Sequence, residues 1–257
     1  MDGRGSDLQR LGEWRESKYA VDGPFVRASK NRRELPCHSR IIADLVGQFY
    51  SRTIPRWVSG DLVDLGCGKA PLLGAYREYC SSILLVDWPN SPHTDSMVDL
   101  MLDLNFPLEG LNSDSFDVVV LSDVLEHISE PALLMSEIAR ILKPGGRLLL
   151  NVPFIYWIHE GPYDYYRYTR FALDRLARQA GLEVVDLVPL GGWIEVMADL
   201  SSKLLEHFRL AFVVTSIHRL VMAFHRTRPG YRLSMLGSET LPLGYGLVAQ
   251  KPMRTVP

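Results

Sequence analysis

The chain has 257 residues, 47% of them hydrophobic and 23% charged, and its 28 Lys and Arg against 30 Asp and Glu leave a net charge of −2. That length accommodates one α/β domain with insertions and a core of its own. The balanced charge gives no electrostatic reason to expect a nucleic-acid partner, and without an apolar run of about eighteen residues a spanning helix is not expected.

Residues 1–35 are charged and irregular, with Trp14, Tyr19 and Phe25 as isolated aromatics, and read as a loosely ordered tail. From Pro36 the spacing of Ile41, Ile42, Leu45, Val46 and Phe49 predicts a helix. Asp61–Leu65 reads as a first strand, broken by Gly66 and Gly68, and a helix follows over about 71–80. Strands are expected at 82–87, 97–103 and 116–122. Pro131 suits the start of a helix whose stripe of Leu133, Leu134, Ile138 and Ile141 runs to Lys143–Pro144. A fifth strand at 147–153, a helix from Thr169 to a C-cap at Gly181, a sixth strand at 182–189 and a last strand at 243–250 complete the core. Strand alternating with helix implies a parallel sheet with right-handed crossovers. The three cysteines, Cys37, Cys67 and Cys80, lack metal-type spacing and cannot all pair. Reduced thiols and a polar N-terminus without an apolar leader core point to a cytoplasmic protein.

Chemistry concentrates first on Asp64-Leu-Gly66-Cys67-Gly68. A buried strand that ends in two glycines brings backbone close to a ligand. Asp87 closes the next apolar run, at the strand tip where doubly wound folds hold the ribose hydroxyls of a nucleoside cofactor. The third glycine of a dinucleotide fingerprint is missing, since Gly68 is followed by Lys69-Ala70-Pro71. A Gly-x-Gly turn preceded by Asp64 suits a ligand with an ammonium and no phosphate.

With Phe116–Ile128, which contains Ser122, Asp123, Glu126 and His127, and with Leu142-Lys-Pro-Gly-Gly-Arg-Leu-Leu-Leu150, these motifs stand in the order found in one family. Over roughly residues 40–190 and the last strand, the chain resembles the class I S-adenosylmethionine-dependent methyltransferases. The resemblance implies a Rossmann-like α/β fold: a seven-stranded, mostly parallel sheet with helices on both faces and an antiparallel last strand. It implies S-adenosyl-L-methionine as cofactor, held by the turn Gly66-Cys67-Gly68, by Asp64 acting on the methionine ammonium and by Asp87 on the ribose. Asp103 and the Leu104 backbone match the adenine subsite, and the backbone at Ser122 matches the sulfonium and methionine portion. Trp88 either stacks on adenine or packs as a half-buried aromatic. In such proteins an N-terminal segment often forms a helical lid, an alternative for residues 1–35.

The segment Pro153–Thr169 is dense in tyrosine and tryptophan, and its start lies at the mouth of the cleft. Tyr156, Trp157, Tyr163 and Tyr165 suit the wall of a pocket for a ring or polyhydroxylated acceptor; the alternative is an aromatic cluster that covers the sheet end. Its pattern resembles a subgroup associated with bacterial glycan and secondary-metabolite assembly. His159 is the candidate general base, because an ordinary imidazole pKa of about 6.5 suits that work at neutral pH. Asp164 orients it or binds hydroxyls, Arg167 holds an anionic group or pairs with Asp164, and His127 is the reserve base. Glu126 and His127 alone supply no coordination set, so no metal is expected.

The expected divisions are a tail or lid (1–35), a cofactor-binding core (36–193), a helical insertion (194–240) and a final strand and tail (241–257). The insertion reads as one or two apolar helices with a basic fringe. Residues 194–233 form either a homodimer interface or cap, or a surface helix that meets a lipid-linked substrate at the inner membrane face. The expected function is methyl transfer to oxygen, first a sugar hydroxyl of a glycan or small-molecule acceptor and second a phenolic or polyketide hydroxyl. N- or C-methylation and a non-catalytic cofactor-binding protein are the alternatives.

Overall fold

A computed structural model describes residues 13–93 and 96–253; of the expected tail, residues 1–12 lie outside that range. Period-two burial builds the central sheet. In the strand Phe116–Ser122, Val118 and Val120 pack to one face while Val119 and Leu121 pack to the other, and all four are buried. Both faces are therefore apolar, as a parallel sheet covered by helices requires.

The elements in chain order are β1 (Tyr19–Asp22), β2 (Phe25–Ala28), α1 (Arg40–Trp57), β3 (Gly60–Leu65), α2 (Leu73–Tyr76), β4 (Cys80–Asp87), β5 (Leu100–Met101) and β6 (Phe116–Ser122). They continue with α3 (Pro131–Ile141), β7 (Leu142–Pro153), α4 (Arg170–Gln179), β8 (Glu183–Leu190), α5 (Trp193–His207), α6 (Ala211–His225), α7 (Arg228–Ser238) and β9 (Gly244–Gln250). The sheet has seven strands in the order β5-β4-β3-β6-β7-β9-β8. β9 lies antiparallel between β7 and β8, and the pairs among β3 to β7 are parallel. One face packs on Ile41, Leu45, Phe49 and Ile54 of α1, the other on Leu134 and Ile138 of α3 and Leu173 and Ala177 of α4. Thr169 caps α4 by accepting from the Ala172 N–H at 3.2 Å, and the Gly181 N–H closes its end on Arg178. Cys37, Cys67 and Cys80 are free.

Several boundaries differ from expectation. The described part of the tail is a hairpin rather than an irregular segment or helical lid: β1 and β2 pair antiparallel. Ser51 and Asp44 of α1 accept the N–H groups of Val26 and Ala28 and tie the hairpin to the core. The helix over 71–80 shrinks to α2 and a 3₁₀ turn at Arg77–Tyr79, because β4 begins at Cys80. The strand over 97–103 shortens to two residues at the sheet edge, where the Asp99 side chain takes the Leu85 N–H at 2.8 Å. Strand five starts early, as Leu142 already pairs with Phe116. The insertion forms three helices, α5 to α7, whose Val196 and Met222 join the main core. Leu204, Phe208, Phe212, Leu220 and Leu236 remain exposed there, and no described helix is long and apolar enough to cross a membrane.

Candidate active site

β3 delivers Leu65 to the end of the sheet, and the chain turns through Gly66 (φ +71) and Gly68 (φ +51). The N–H groups of Gly66 and Cys67 both donate to the Val86 carbonyl, at 2.8 and 3.0 Å, folding the turn over the end of β4. A Cβ at Gly66 would lie 2.6 Å from Val124 Cγ2, and one at Gly68 would lie 3.2 Å from His93 Cβ. The bare backbone at Gly66 thus admits the loop after β6 as well as any ligand.

Two carboxylates sit at adjacent strand tips. Asp64, on β3, is 3% exposed and accepts from the Tyr76 hydroxyl at 2.7 Å. Burial pushes its pKa up to about 7, against the Tyr76 bond and with help from the Asp87 charge. Asp87 ends β4 and is 4% exposed. The adjoining Trp88 ring stands edge-on to Tyr163 at 5.1 Å. Asp103 turns back to accept from the Asn105 N–H and side-chain amide, and Leu104 is buried beside it. A positive-φ turn flanked by two buried carboxylates is a donor set that fits a ligand bringing an ammonium and a ribose diol.

Beyond β6 the side chains form a chain of hydrogen bonds. Ser122 and Tyr50 both donate to Asn151 Oδ1, at 2.7 and 2.9 Å, and Asn151 Nδ2 donates to Asp123 at 2.6 Å. Lys18 Nζ reaches the other Asp123 oxygen at 2.5 Å, which fixes a residue held at φ +53. Neither Lys18 nor Asn151 stands out as a site residue in the sequence. Asn151 had a signal, a lone amide inside the apolar run of β7, whereas Lys18 arrives from 105 residues away and had none.

The loop after β7 is fixed by its own ion pair. Asp164, with a side chain 2% exposed, receives Arg167 in bidentate fashion at 2.6 and 2.7 Å and the His159 N–H at 2.9 Å. Burial opposes ionisation, but the Arg167 bonds and the His159 N–H outweigh it and hold the carboxyl at about 2. Arg167 also donates to the Trp157 and Tyr166 carbonyls, so of its two sequence readings the structure displays the ion pair. Tyr156 meets Ser39 through its hydroxyl at 3.1 Å and Lys203 over its ring at 3.9 Å. Trp157 lies edge-on to His38, while Tyr163 and Tyr165 are 45% and 47% exposed.

His159 Nδ1 lies 3.4 Å from Asp164 Oδ2, and its ring is 4.8 Å from that of His127. Burial, and then the neighbouring His127, lower its pKa below the ordinary imidazole value. Beside both imidazoles lies Glu126, wholly buried, its pKa driven far up by burial and by the Asp123 charge. The sequence pairs Glu126 only with His127; the fold adds His159 from a loop further along the chain.

The methyltransferase-domain family profile matches residues 31–187, more than half of the chain, and the chain belongs to this family. It is an S-adenosylmethionine-dependent methyltransferase of the class I fold. Ubiquinone biosynthesis O-methyltransferase of Coxiella burnetii is 24% identical over 182 residues, covering 57% of this chain and 76% of the relative. Its namesake of Pseudomonas aeruginosa is 26% identical over 155 residues, covering 50% and 67%. A SAM-dependent methyltransferase of Archaeoglobus fulgidus superposes with a TM-score of 0.54 at 17% identity, covering 80% of this chain and 93% of that one. Phosphoethanolamine N-methyltransferase 2 of Haemonchus contortus, in complex with S-adenosyl-L-methionine, gives 0.52 at 15%, covering 88% and 59%. At these identities the structural likenesses show the fold.

Proposed function

We propose that this enzyme methylates a hydroxyl oxygen, foremost a sugar hydroxyl on a glycan or small-molecule metabolite. Bound S-adenosylmethionine supplies an electrophilic methyl group on a sulfonium. In this reading the turn at Gly66–Gly68 seats the cofactor, Asp87 takes the ribose hydroxyls and Asp64 lies toward the ammonium. Asp103, Leu104 and Trp88 border the adenine, and Ser122 borders the methionine portion.

The observation that carries an oxygen acceptor is the His159–Asp164 pair. A hydroxyl nucleophile benefits from a base to take its proton, whereas an amine arrives with its lone pair free. Partial burial lowers the His159 pKa, and Asp164 Oδ2 and Arg167 Nη2 stand 3.4 and 3.5 Å from Nδ1, so the ring is held in place beside their ion pair as a base. The exposed rings of Trp157, Tyr163 and Tyr165 suit contact with a sugar or aromatic ring. The O-methyltransferase names of the relatives favour oxygen as well.

The test is transfer of a tritiated methyl group from the cofactor to a panel of glycans, phenols and amines, with the product position read by mass spectrometry. Label is expected on a hydroxyl. His159→Ala is expected to lower kcat by roughly 10²–10⁴-fold with cofactor affinity unchanged. Label on nitrogen, or an undiminished His159→Ala enzyme, would overturn the reading.

A further inference from the structure

Among the described residues, Glu126 has both carboxylate oxygens buried without a hydrogen-bond partner, and its side chain has no solvent exposure. Buried carboxylates without partners are strongly disfavoured, so such a group points to something that completes it. Two imidazoles face it. His127 Nε2 lies 3.8 Å and His159 Nε2 3.9 Å from Glu126 Oε1. One ligand atom from each of the three residues falls within 4.8 Å of the others.

We infer that Glu126, His127 and His159 form a binding site for a divalent first-row transition-metal ion. Two imidazole nitrogens and one carboxylate are a donor set suited to such ions rather than to magnesium or calcium, which prefer oxygen. Ligand bonds of about 2.0–2.2 Å place donor atoms roughly 3.4 Å apart in a tetrahedral site. The observed separations from Glu126 need to shrink by only about half an ångström, within the reach of side-chain rotation.

The surroundings match a metal site in a second, independent way. A ligating histidine almost always has its other ring nitrogen held by an acceptor, which sets the tautomer. His127 Nδ1 lies 3.1 Å from the Tyr163 carbonyl, so its N–H points there and Nε2 keeps its lone pair for the cluster. His159 Nε2 faces Glu126, and its Nδ1 has both Asp164 Oδ2 at 3.4 Å and the donor Arg167 Nη2 at 3.5 Å beside it, so coordination through Nε2 requires the Nδ1 proton to turn to the carboxylate. Glu160 Oε2 stands 3.9 Å from His127 Nε2, close enough to serve as a fourth ligand. The imidazoles are 15% and 22% exposed, which gives an ion a path from solvent.

The site borders the cofactor turn. Glu160 accepts from His93 Nε2 at 3.2 Å, and His93 packs against Gly68. An ion with three or four protein ligands keeps a position for an oxygen and lowers that oxygen's pKa, its proton passing to solvent. With the ion in place His159 is a ligand, and activation of a hydroxyl passes to the ion. Ion binding itself is independent of which acceptor the enzyme uses.

The test is to strip the full chain with a chelator and titrate it with Mn²⁺, following free ion by electron paramagnetic resonance. One ion per chain is expected for the wild type. Occupancy should fall at least tenfold in Glu126→Gln and in His159→Gln, and stay unchanged in Asp174→Asn, a surface control. No binding by the wild type, or equal binding by all variants, would overturn the site. X-ray absorption of the Zn²⁺-loaded wild type serves where a variant does not fold. Scattering from two imidazoles in an all N/O shell is expected, and a shell with sulfur or without imidazole would be decisive against the assignment.

Discussion

Gly66 shows how one residue type answers two demands. Its φ of +71 is a conformation that L side chains adopt at a cost of roughly 1–2 kcal/mol. An added methyl would also strike Val124, whose branched side chain has few rotamers to escape into. Crowding of that kind costs about 1–3 kcal/mol. Gly66→Ala is therefore expected to lower unfolding stability by about 2–5 kcal/mol, measured by urea denaturation, and to weaken cofactor binding through displacement of the turn. A variant as stable as wild type would mean that the loop at Val124 yields freely. The sequence displays the glycine, but Val124 becomes its neighbour only when β3 and β6 pair. The same reasoning applies to Glu126: next to His127 in the chain it has one imidazole, and its second comes from a loop whose path no local pattern encodes.

At the scale of elements, legibility follows burial. β3, β4, β6 and β7 are central strands, and their apolar runs announce them; β5 has only an edge to hold, so two residues pair where seven were expected. The hairpin β1–β2 escaped notice because its stability comes from α1 side chains rather than from its own alternation. The three helices of the insertion were read as one or two because their separation rests on caps and a buried polar contact. Glu195, at the start of α5, accepts from the Gly192 N–H at 2.9 Å and the Ser234 hydroxyl at 2.6 Å and pairs with His225 at 2.9 Å. One carboxylate thus ties α5 to the end of α6 and the middle of α7. Removing one partner of a buried pair costs about 3–5 kcal/mol, because the other is left without compensation. Glu195→Ala is expected to lose that much, with hydrogen-exchange protection falling in α6 and α7 while β6 and β7 stay protected. Uniform loss across the sheet would show that the helical layer and the sheet unfold as one unit.

For the molecule as a whole, the site is held at the expense of stability, and pH makes that visible. The parallel sheet brings the tips of β3 and β4 together and buries Asp64 beside Asp87. Folding raises the Asp64 pKa to about 7, against about 3.9 in an unfolded chain. Below about pH 3 both states hold the proton and no penalty arises. As pH climbs toward 7 the unfolded chain ionises first, so stability falls until the folded group ionises too. About three pKa units correspond to about 4 kcal/mol at most. Asp64→Asn keeps an oxygen for the Tyr76 hydroxyl and removes the titration. Its unfolding free energy is expected to match wild type near pH 3 and to exceed it increasingly up to pH 8, by no more than that limit. The subtraction cancels the other perturbed carboxyls, including Asp164, whose depressed pKa acts in the opposite sense at lower pH. A cofactor ammonium near Asp64 would relieve the penalty, so stabilisation by S-adenosylmethionine should grow with pH in the wild type and stay flat in Asp64→Asn. Thermal denaturation of both proteins from pH 3 to 8, with and without cofactor, reads the two effects together. A pH-independent difference between the proteins would mean that Asp64 ionises in the fold as easily as in water, and that the cofactor turn carries no stored charge cost.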